Sequence, residues 1–435
     1  MEKKRLIIIT GLPFRKQGNQ SLIRFVNMFL KRGIKISMFS AGYDANGENV
    51  LNNADFEVFK IKSFEISFTN MLNKIFLKVR KNKSSRENYF EKIKSEDIIA
   101  PYGSYNIANS VNKWFKWVLI ILDNIFLIVY LGIKYPKTIK ESTAIIGYEA
   151  SYTICARVLA KLFYKQYVNK FQGTILKATN RNKVRAIKSF PHNFFSINNS
   201  DLCLMVNDGT DGKYYAQEKG CKEIFFEPHG VYEYDKDMID MEIINKLKRQ
   251  NKFILFNNAS GSTWKRTDRI VRSFMKLDEE LREHIVLITT YYAADREDLK
   301  KFVKSYDLDK NIIFMEKLDN FECNSLLRNS DIAIMTNDFS NLGNPLLEAI
   351  YYGIPIISID DGSLDGFLEN GKDSILVKLD CDFDKNLSLA IEKLYFDKGF
   401  YLDLKKNLNK HQQVKELNEQ QEREFNAINE ILKLC

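Results

Sequence analysis

Leu6-Ile7-Ile8-Ile9-Thr10 runs into Gly11-Leu12-Pro13-Phe14-Arg15-Lys16-Gln17-Gly18, and residues 21–31 follow with apolar side chains at Leu22, Phe25, Val26, Phe29 and Leu30. A short apolar run, a glycine-containing loop and a 3.6-residue period make a strand, a loop and an amphipathic helix. Residues 34–39 supply the next strand, so the chain opens as a doubly wound parallel sheet whose first strand-to-helix loop faces a ligand crevice.

The alternation continues outward. Strands are expected at 144–147, 201–206 and 224–227, with helices at 151–163 and 211–219. Residues 232–251 are charged, carry no strand signal and read as a hinge. A second alternation then begins, with strands at 253–256, 285–289, 312–315, 331–335, 354–359 and 374–377 and helices at 267–277 and 295–304. In a chain of 435 residues, two such patterns imply an α/β protein of two Rossmann-like lobes facing an interdomain cleft. The expected division is a first domain at 1–235, a second at 236–410, and a helical tail at 411–435 that packs back on the first lobe.

Composition narrows the function. Apolar residues at 45% and only 7 Pro exclude disordered and collagen-like chains. The six cysteines, Cys155, Cys203, Cys221, Cys323, Cys381 and Cys435, form no close pair, and the histidines His192, His229, His284 and His411 share no ligand spacing; neither a disulfide framework nor a metal site is expected. The apolar run after Glu2, Lys3, Lys4 and Arg5 is too short for a signal-peptide core, and the expected location is the cytoplasm. The net charge of +9 is unevenly spread: residues 1–200 carry 33 basic and 13 acidic residues, whereas the remainder is net negative. Such a front half favours a polyanionic or membrane-surface partner. Nucleic acid is not expected, because no basic reading helix or aromatic RNA motif accompanies the charge.

Residues 111–133 are long and apolar enough to be weighed as a membrane segment. Asp123 at the centre opposes a true span, at about 2.5–3.5 kcal/mol on insertion scales. Lys113, Lys116, Asp123 and Asn124 share one narrow stripe of the helix. Two seatings fit: a core helix with one polar edge, or a helix lying on an anionic membrane surface, peripheral on the inner face of the cell membrane.

The stretch richest in chemistry is Ser340-Asn341-Leu342-Gly343-Asn344-Pro345-Leu346-Leu347-Glu348-Ala349, followed by Tyr352-Gly353-Ile354-Pro355-Ile356-Ile357 and by Asn370-Gly371. A Gly-Asn-Pro turn opens a helix whose first N–H groups and positive dipole end can receive a phosphate. Glu348, about one turn in, can accept two hydroxyl hydrogens from a ribose. Upstream, Asn257-Asn258-Ala259-Ser260-Gly261-Ser262-Thr263-Trp264-Lys265 follows a strand.

These segments resemble the donor-binding signature of the GT-B glycosyltransferases, specifically the retaining glycosyltransferase family 4, with its E-x7-E pattern, Gly-x-Pro strand and distal Asn-Gly turn. By that resemblance Glu348 is the second Glu and binds the nucleotide ribose, while Ser340 stands where the first Glu is usual. Gly343 and Asn344 resemble the phosphate-facing loop, beside Asn341. Lys265 matches the Lys directed at the diphosphate; Ser260 replaces the usual Arg, and Arg266 is placed to restore its charge. Gly18 resembles the glycine of the first-lobe loop. Gln172 stands at a position where relatives often carry His, and Pro228-His229-Gly230-Val231 resembles the turn that ends the first lobe. The resemblance implies a retaining glycosyltransferase with Lys265 and Glu348 as its catalytic pair. It needs no cofactor or metal and takes a nucleotide-diphosphate sugar as donor; the basic, partly apolar first lobe points to a bacterial surface-glycan or polyprenyl-linked acceptor. Ser340, Ser260 and Gln172 leave open a non-catalytic nucleotide-sugar-binding subunit of a polysaccharide assembly, and an NDP-sugar epimerase is the remaining reading on the same fold.

Overall fold

The computed structural model describes residues 4–14, 20–41, 51, 53–63, 107–173, 181–234, 241–259, 263–291, 297–316, 318–411 and 413–435. The chain forms two compact units. Among the described residues, one holds those up to Glu227 together with Gln421–Cys435, and the other holds Pro228–Gln420.

The first unit is built on seven strands: β1 (Arg5–Thr10), β2 (Lys35–Ser40), β3 (Phe56–Lys60), β4 (Ala144–Tyr148), β5 (Gln166–Phe171), β6 (Leu202–Val206) and β7 (Glu223–Glu227). Their order is β3-β2-β1-β4-β5-β6-β7, with every neighbouring pair parallel. β1 is buried along nearly its whole length, as a central parallel strand covered on both faces must be. Its side chains divide by the two-residue period: Leu6 and Ile8 enter one core, with Phe25, Phe29 and Ile146, and Ile7 and Ile9 enter the other, with Leu127, Leu131 and Leu159.

The chain's last helix, Leu417–Leu432, places Phe425, Ile428 and Leu432 in the first of these cores. Glu424 on that helix pairs with Lys170 at the end of β5, both buried, and Arg423 pairs with Glu227.

The second unit has six strands: β8 (Phe253–Asn257), β9 (Ile285–Tyr291), β10 (Ile312–Glu316), β11 (Ile332–Ile334), β12 (Ile356–Asp360) and β13 (Ser374–Lys378). The order is β10-β9-β8-β11-β12-β13, again all parallel. Leu255, Leu287, Ile332 and Ile357 face one core, and Ile254, Val286, Ala333 and Ile356 the other. Both expected Rossmann-like sheets are thus present. The stretch read as a hinge contains the helix Glu242–Arg249, whose Ile244 and Leu247 are buried in the second unit's core. Its apolar residues lie three apart on one helical face, a signal its dense charge concealed.

The long helix is Ile107–Lys134, and it inverts one expectation. Asp123 and Asn124, read as a polar edge or a water-facing stripe, are buried. Their polar atoms are satisfied inside the unit: Asp123 accepts from the Ser63 hydroxyl at 2.6 Å, and Asn124 donates to Ser151 O at 2.7 Å and accepts from Cys155 N–H at 2.8 Å.

Candidate active site

In the second unit the chain order runs outward from β8 in both directions, so the sheet reverses its winding between β8 and β11. In open parallel sheets the crevice beyond the carboxyl ends of the strands at such a point is where ligands bind. Asn257, the last residue of β8, knits that edge together. Its amide donates to Ile334 O at 2.8 Å, and its oxygen accepts from Thr267 Oγ1 at 3.2 Å and Thr289 Oγ1 at 3.1 Å.

Lys265 ends a single 3-10 turn, Thr263–Lys265, that leaves this edge. Both its neighbours are tied to the loop after β11: Trp264 O accepts from Asp338 N–H at 2.9 Å, and Arg266 O accepts from Thr336 Oγ1 at 2.9 Å. The Lys265 ammonium lies 4.2 Å from the centre of the Trp264 ring. Burial pushes it down to about 8, and no carboxylate among the described residues pairs with it. A half-buried cation with only an aromatic face beside it is suited to receive an anion.

The loop after β11 leads into the helix Asn344–Tyr351, which starts at Gly343 with Pro at its second position. Proline is tolerated there because the first-turn N–H groups have no partner within the helix. Glu348 lies in the second turn and is half-buried. Burial alone pushes its carboxyl up to about 7, with no hydrogen bond or neighbouring charge contributing. Lys265 and Glu348 are therefore opposite charges, each desolvated with no partner among the described residues, one in the turn after β8 and the other in the helix that follows the loop after β11. Such groups cost stability and are retained where a ligand completes them.

Gly353 closes the same helix. Its φ is +64°, and a Cβ there would fall 2.0 Å from Asn409 Oδ1, so glycine is needed to turn the chain into β12.

Other expected site residues are placed differently. Arg266 does not offer its charge to a ligand: the side chain is 1% exposed and is held by Asp268 at 3.1 Å and Asp338 at 3.2 Å, and Arg269 joins Asp338 at 2.9 Å. Two cations sharing buried carboxylates form a structural network that braces the turn beneath Lys265. Asn341 is likewise internal, accepting from Asn337 N–H at 2.9 Å through its side chain. Ser340 Oγ accepts from Leu342 N–H at 3.1 Å and so shapes the loop. The Gly343 N–H donates to Asn341 O at 3.0 Å, leaving the exposed Asn344 and the helix's positive end as the candidate phosphate contact. The Asn370-Gly371 turn starts β13, with Asn370 Oδ1 accepting from Leu376 N–H at 2.9 Å. Gly18 and Ser260 lie outside the described residues.

The first unit has its own switch point, between β1 and β4. Glu149 follows β4 in the left-handed region, with φ +63°. It accepts from Gln172 N–H at 2.6 Å, and burial raises its carboxyl to about 7. Gln172 itself donates to the Tyr148 hydroxyl. Sequence reasoning passed over Glu149; its place directly after a central strand was the available signal. Among the described residues no three His, Cys, Asp or Glu side chains gather as a metal site.

Similarity to known proteins concentrates in the second unit. Residues 240–411 match the family model of the glycosyl transferases group 1. The matched residues lie within the second unit, which is thus similar to the glycosyl transferases group 1 over most of its length. A 134-residue stretch is 31% identical to the uncharacterized glycosyltransferase MJ1069 of Methanocaldococcus jannaschii, covering 31% of this chain and 34% of that protein. Another of 189 residues is 23% identical to N-acetyl-alpha-D-glucosaminyl L-malate synthase of Bacillus anthracis, covering 42% and 48%. The matches thus span less than half the length of these curated relatives. Among solved structures, Anabaena Alr3699/HepE in complex with UDP aligns at a TM-score of 0.64 with 14% identity, covering 98% of this chain and all of that one. WaaG, a glycosyltransferase involved in lipopolysaccharide biosynthesis, aligns at 0.59 with 13% identity, covering 97% and 99%. The likeness to these structures gives the chain a GT-B fold of two Rossmann-like units, and Lys265 and Glu348 both lie within the stretch matched by the family model.

Proposed function

We propose that this protein transfers a sugar from a nucleotide-diphosphate sugar to a bacterial surface-glycan or lipid-linked acceptor in the cytoplasm, with retention of configuration and without a metal ion. The observation that carries the reading is the pair of uncompensated charges, Lys265 and Glu348, at the switch point of a unit similar to the glycosyl transferases group 1. The structure of HepE with UDP-glucose supports a nucleotide-sugar donor for this fold.

In this reading the Lys265 ammonium and the start of the helix Asn344–Tyr351 meet the diphosphate, and the ionised Glu348 accepts hydrogen bonds from the ribose hydroxyls. The bond between the sugar's anomeric carbon and the phosphate oxygen breaks as the acceptor hydroxyl forms its new bond on the same face. The hydroxyl proton passes to the departing phosphate oxygen. Negative charge grows on that oxygen, and a fixed cation aimed there lowers the barrier.

A second reading draws on Ser340, whose hydroxyl is spent on its own loop where family relatives carry a Glu: a subunit that binds nucleotide sugar without transferring it. Thermal-shift screening of the full chain against nucleotide-diphosphate sugars, followed by a donor-hydrolysis assay on each hit, separates the two. Binding with turnover, both lost in Lys265→Ala and Glu348→Ala, is the expected result. Binding without turnover for any donor establishes the second reading, and wild-type turnover in both variants refutes the site.

A further inference from the structure

We propose that the outer face of the helix Ile107–Lys134 docks on an anionic lipid bilayer, with the helix axis lying in the plane of the interface. Val118, Leu122, Ile125, Val129 and Ile133 recur every three or four residues on that face, and their exposure runs from 45% at Val118 to 77% at Ile133. At 1.5 Å per residue the stripe is roughly 22 Å long. The opposite face, with Ile120, Asp123, Asn124, Leu127 and Leu131, is buried against the first unit. A helix seated against a domain in water turns its polar side outward. Here the polar pair is turned in and hydrogen-bonded there, which fixes the rotation and leaves an apolar stripe outside. A continuous exposed apolar face marks an interaction surface.

Charge selects the partner. Lys134, Lys137 and Lys140 are exposed at and just beyond the end of the helix. Asp123 is buried, and Glu141 is held by Arg5 at 3.3 Å and Lys137 at 3.9 Å. Lys134 donates to the Tyr130 hydroxyl at 2.8 Å and lies 5.5 Å from the Tyr135 ring centre, and Trp114 and Trp117 stand near the other end. Aromatic rings and lysines at the ends of an apolar stripe match the headgroup level of a bilayer, and anionic headgroups attract the lysines. Residues 114–134 reach a mean hydropathy of 2.0, enough by length and composition to cross a membrane, but the internal bonds of Asp123 and Asn124 hold the helix to its unit, so it lies on the surface.

The test needs no turnover, so its failure is separate from failure of the transferase reading. The full chain is sedimented with vesicles of phosphatidylcholine alone or with roughly a third phosphatidylglycerol, as wild type, Ile125→Glu/Val129→Glu and Lys134→Glu/Lys137→Glu. Wild type should bind the anionic vesicles, and both variants, with unchanged melting curves, should bind at least about tenfold more weakly. Ile125→Ser/Val129→Ser serves if the first pair melts early. Equal binding to neutral vesicles, undiminished binding by the folded variants, or a wild-type dimer that forms through this face without vesicle binding would each overturn the proposal.

Discussion

The carbonyl of Trp264 accepts a 2.9 Å hydrogen bond from the N–H of Asp338, joining the loop after β8 to the loop after β11. Lys265 is the next residue on the first loop, and the second runs into the helix of Glu348. One backbone bond therefore fixes the position of an ammonium relative to the element carrying a carboxylate 83 residues downstream in the chain.

Lys265→Ala should lower donor turnover by roughly a hundredfold to a thousandfold, the usual consequence of deleting one fixed donor at a developing charge. Steady-state rates of nucleotide diphosphate release measure it, and a loss under about threefold would remove Lys265 from the reaction.

Lys265→Met should make the protein more stable while inactivating it. The ammonium is pushed down to about 8, so at pH 7 the folded state holds a charge that burial disfavours. Removing that charge should gain on the order of 1 kcal/mol, discounted because solvent reaches the half-buried group, and raise Tm by about 2–4 °C. Calorimetry at pH 7 decides; a fall in Tm contradicts the uncompensated cation.

Glu149 and Glu348 both sit at about 7 in the folded protein, above the ordinary carboxyl value of 4.5. Between those values the folded state binds more protons than the unfolded chain, so these two groups make stability fall as pH rises through that window. The double variant Glu149→Gln/Glu348→Gln should show a flatter dependence of Tm on pH between about 4.5 and 7. For activity, kcat/KM for the donor should rise toward pH 7 as Glu348 ionises, and fall above about 8 as free Lys265 loses its proton.

Asp338→Ala should destabilise the second unit by about 3–5 kcal/mol, because Arg266 and Arg269 would each lose a buried carboxylate partner. Urea unfolding measures the loss. A change below about 1 kcal/mol would mean that the network is not what braces the turn of Lys265.

Much of this was legible from pattern alone. Leu6–Ile9 and Phe253–Phe256 announce central parallel strands because a strand covered on both faces must be apolar at every position. Glu348 could be singled out because its motif is local, a proline-started helix with a carboxylate one turn in; Lys265, a lone lysine in the loop after a strand, stands out only through its resemblance to the family's diphosphate-directed lysine. β5 was less visible, since Gln166, Asn169 and Lys170 interrupt its apolar pattern; Asn169 and Lys170 are satisfied by groups from Asn198 and Glu424, which no neighbouring residue in the chain discloses. For the same reason Arg266 read as an available charge until Asp338, 72 positions away, was found beside it.

The amino-acid order by itself determined where most strands and helix starts fall, and hence two doubly wound sheets, because periodicity and backbone preference act over a few residues. The tertiary structure decided which charges are spent and which are left over. It turned Asp123 and Asn124 inward and an apolar stripe outward, committed Arg266 to buried carboxylates, and left Lys265 and Glu348 desolvated without partners among the described residues. Desolvation and pairing depend on groups brought together from distant parts of the chain, and no local pattern encodes them.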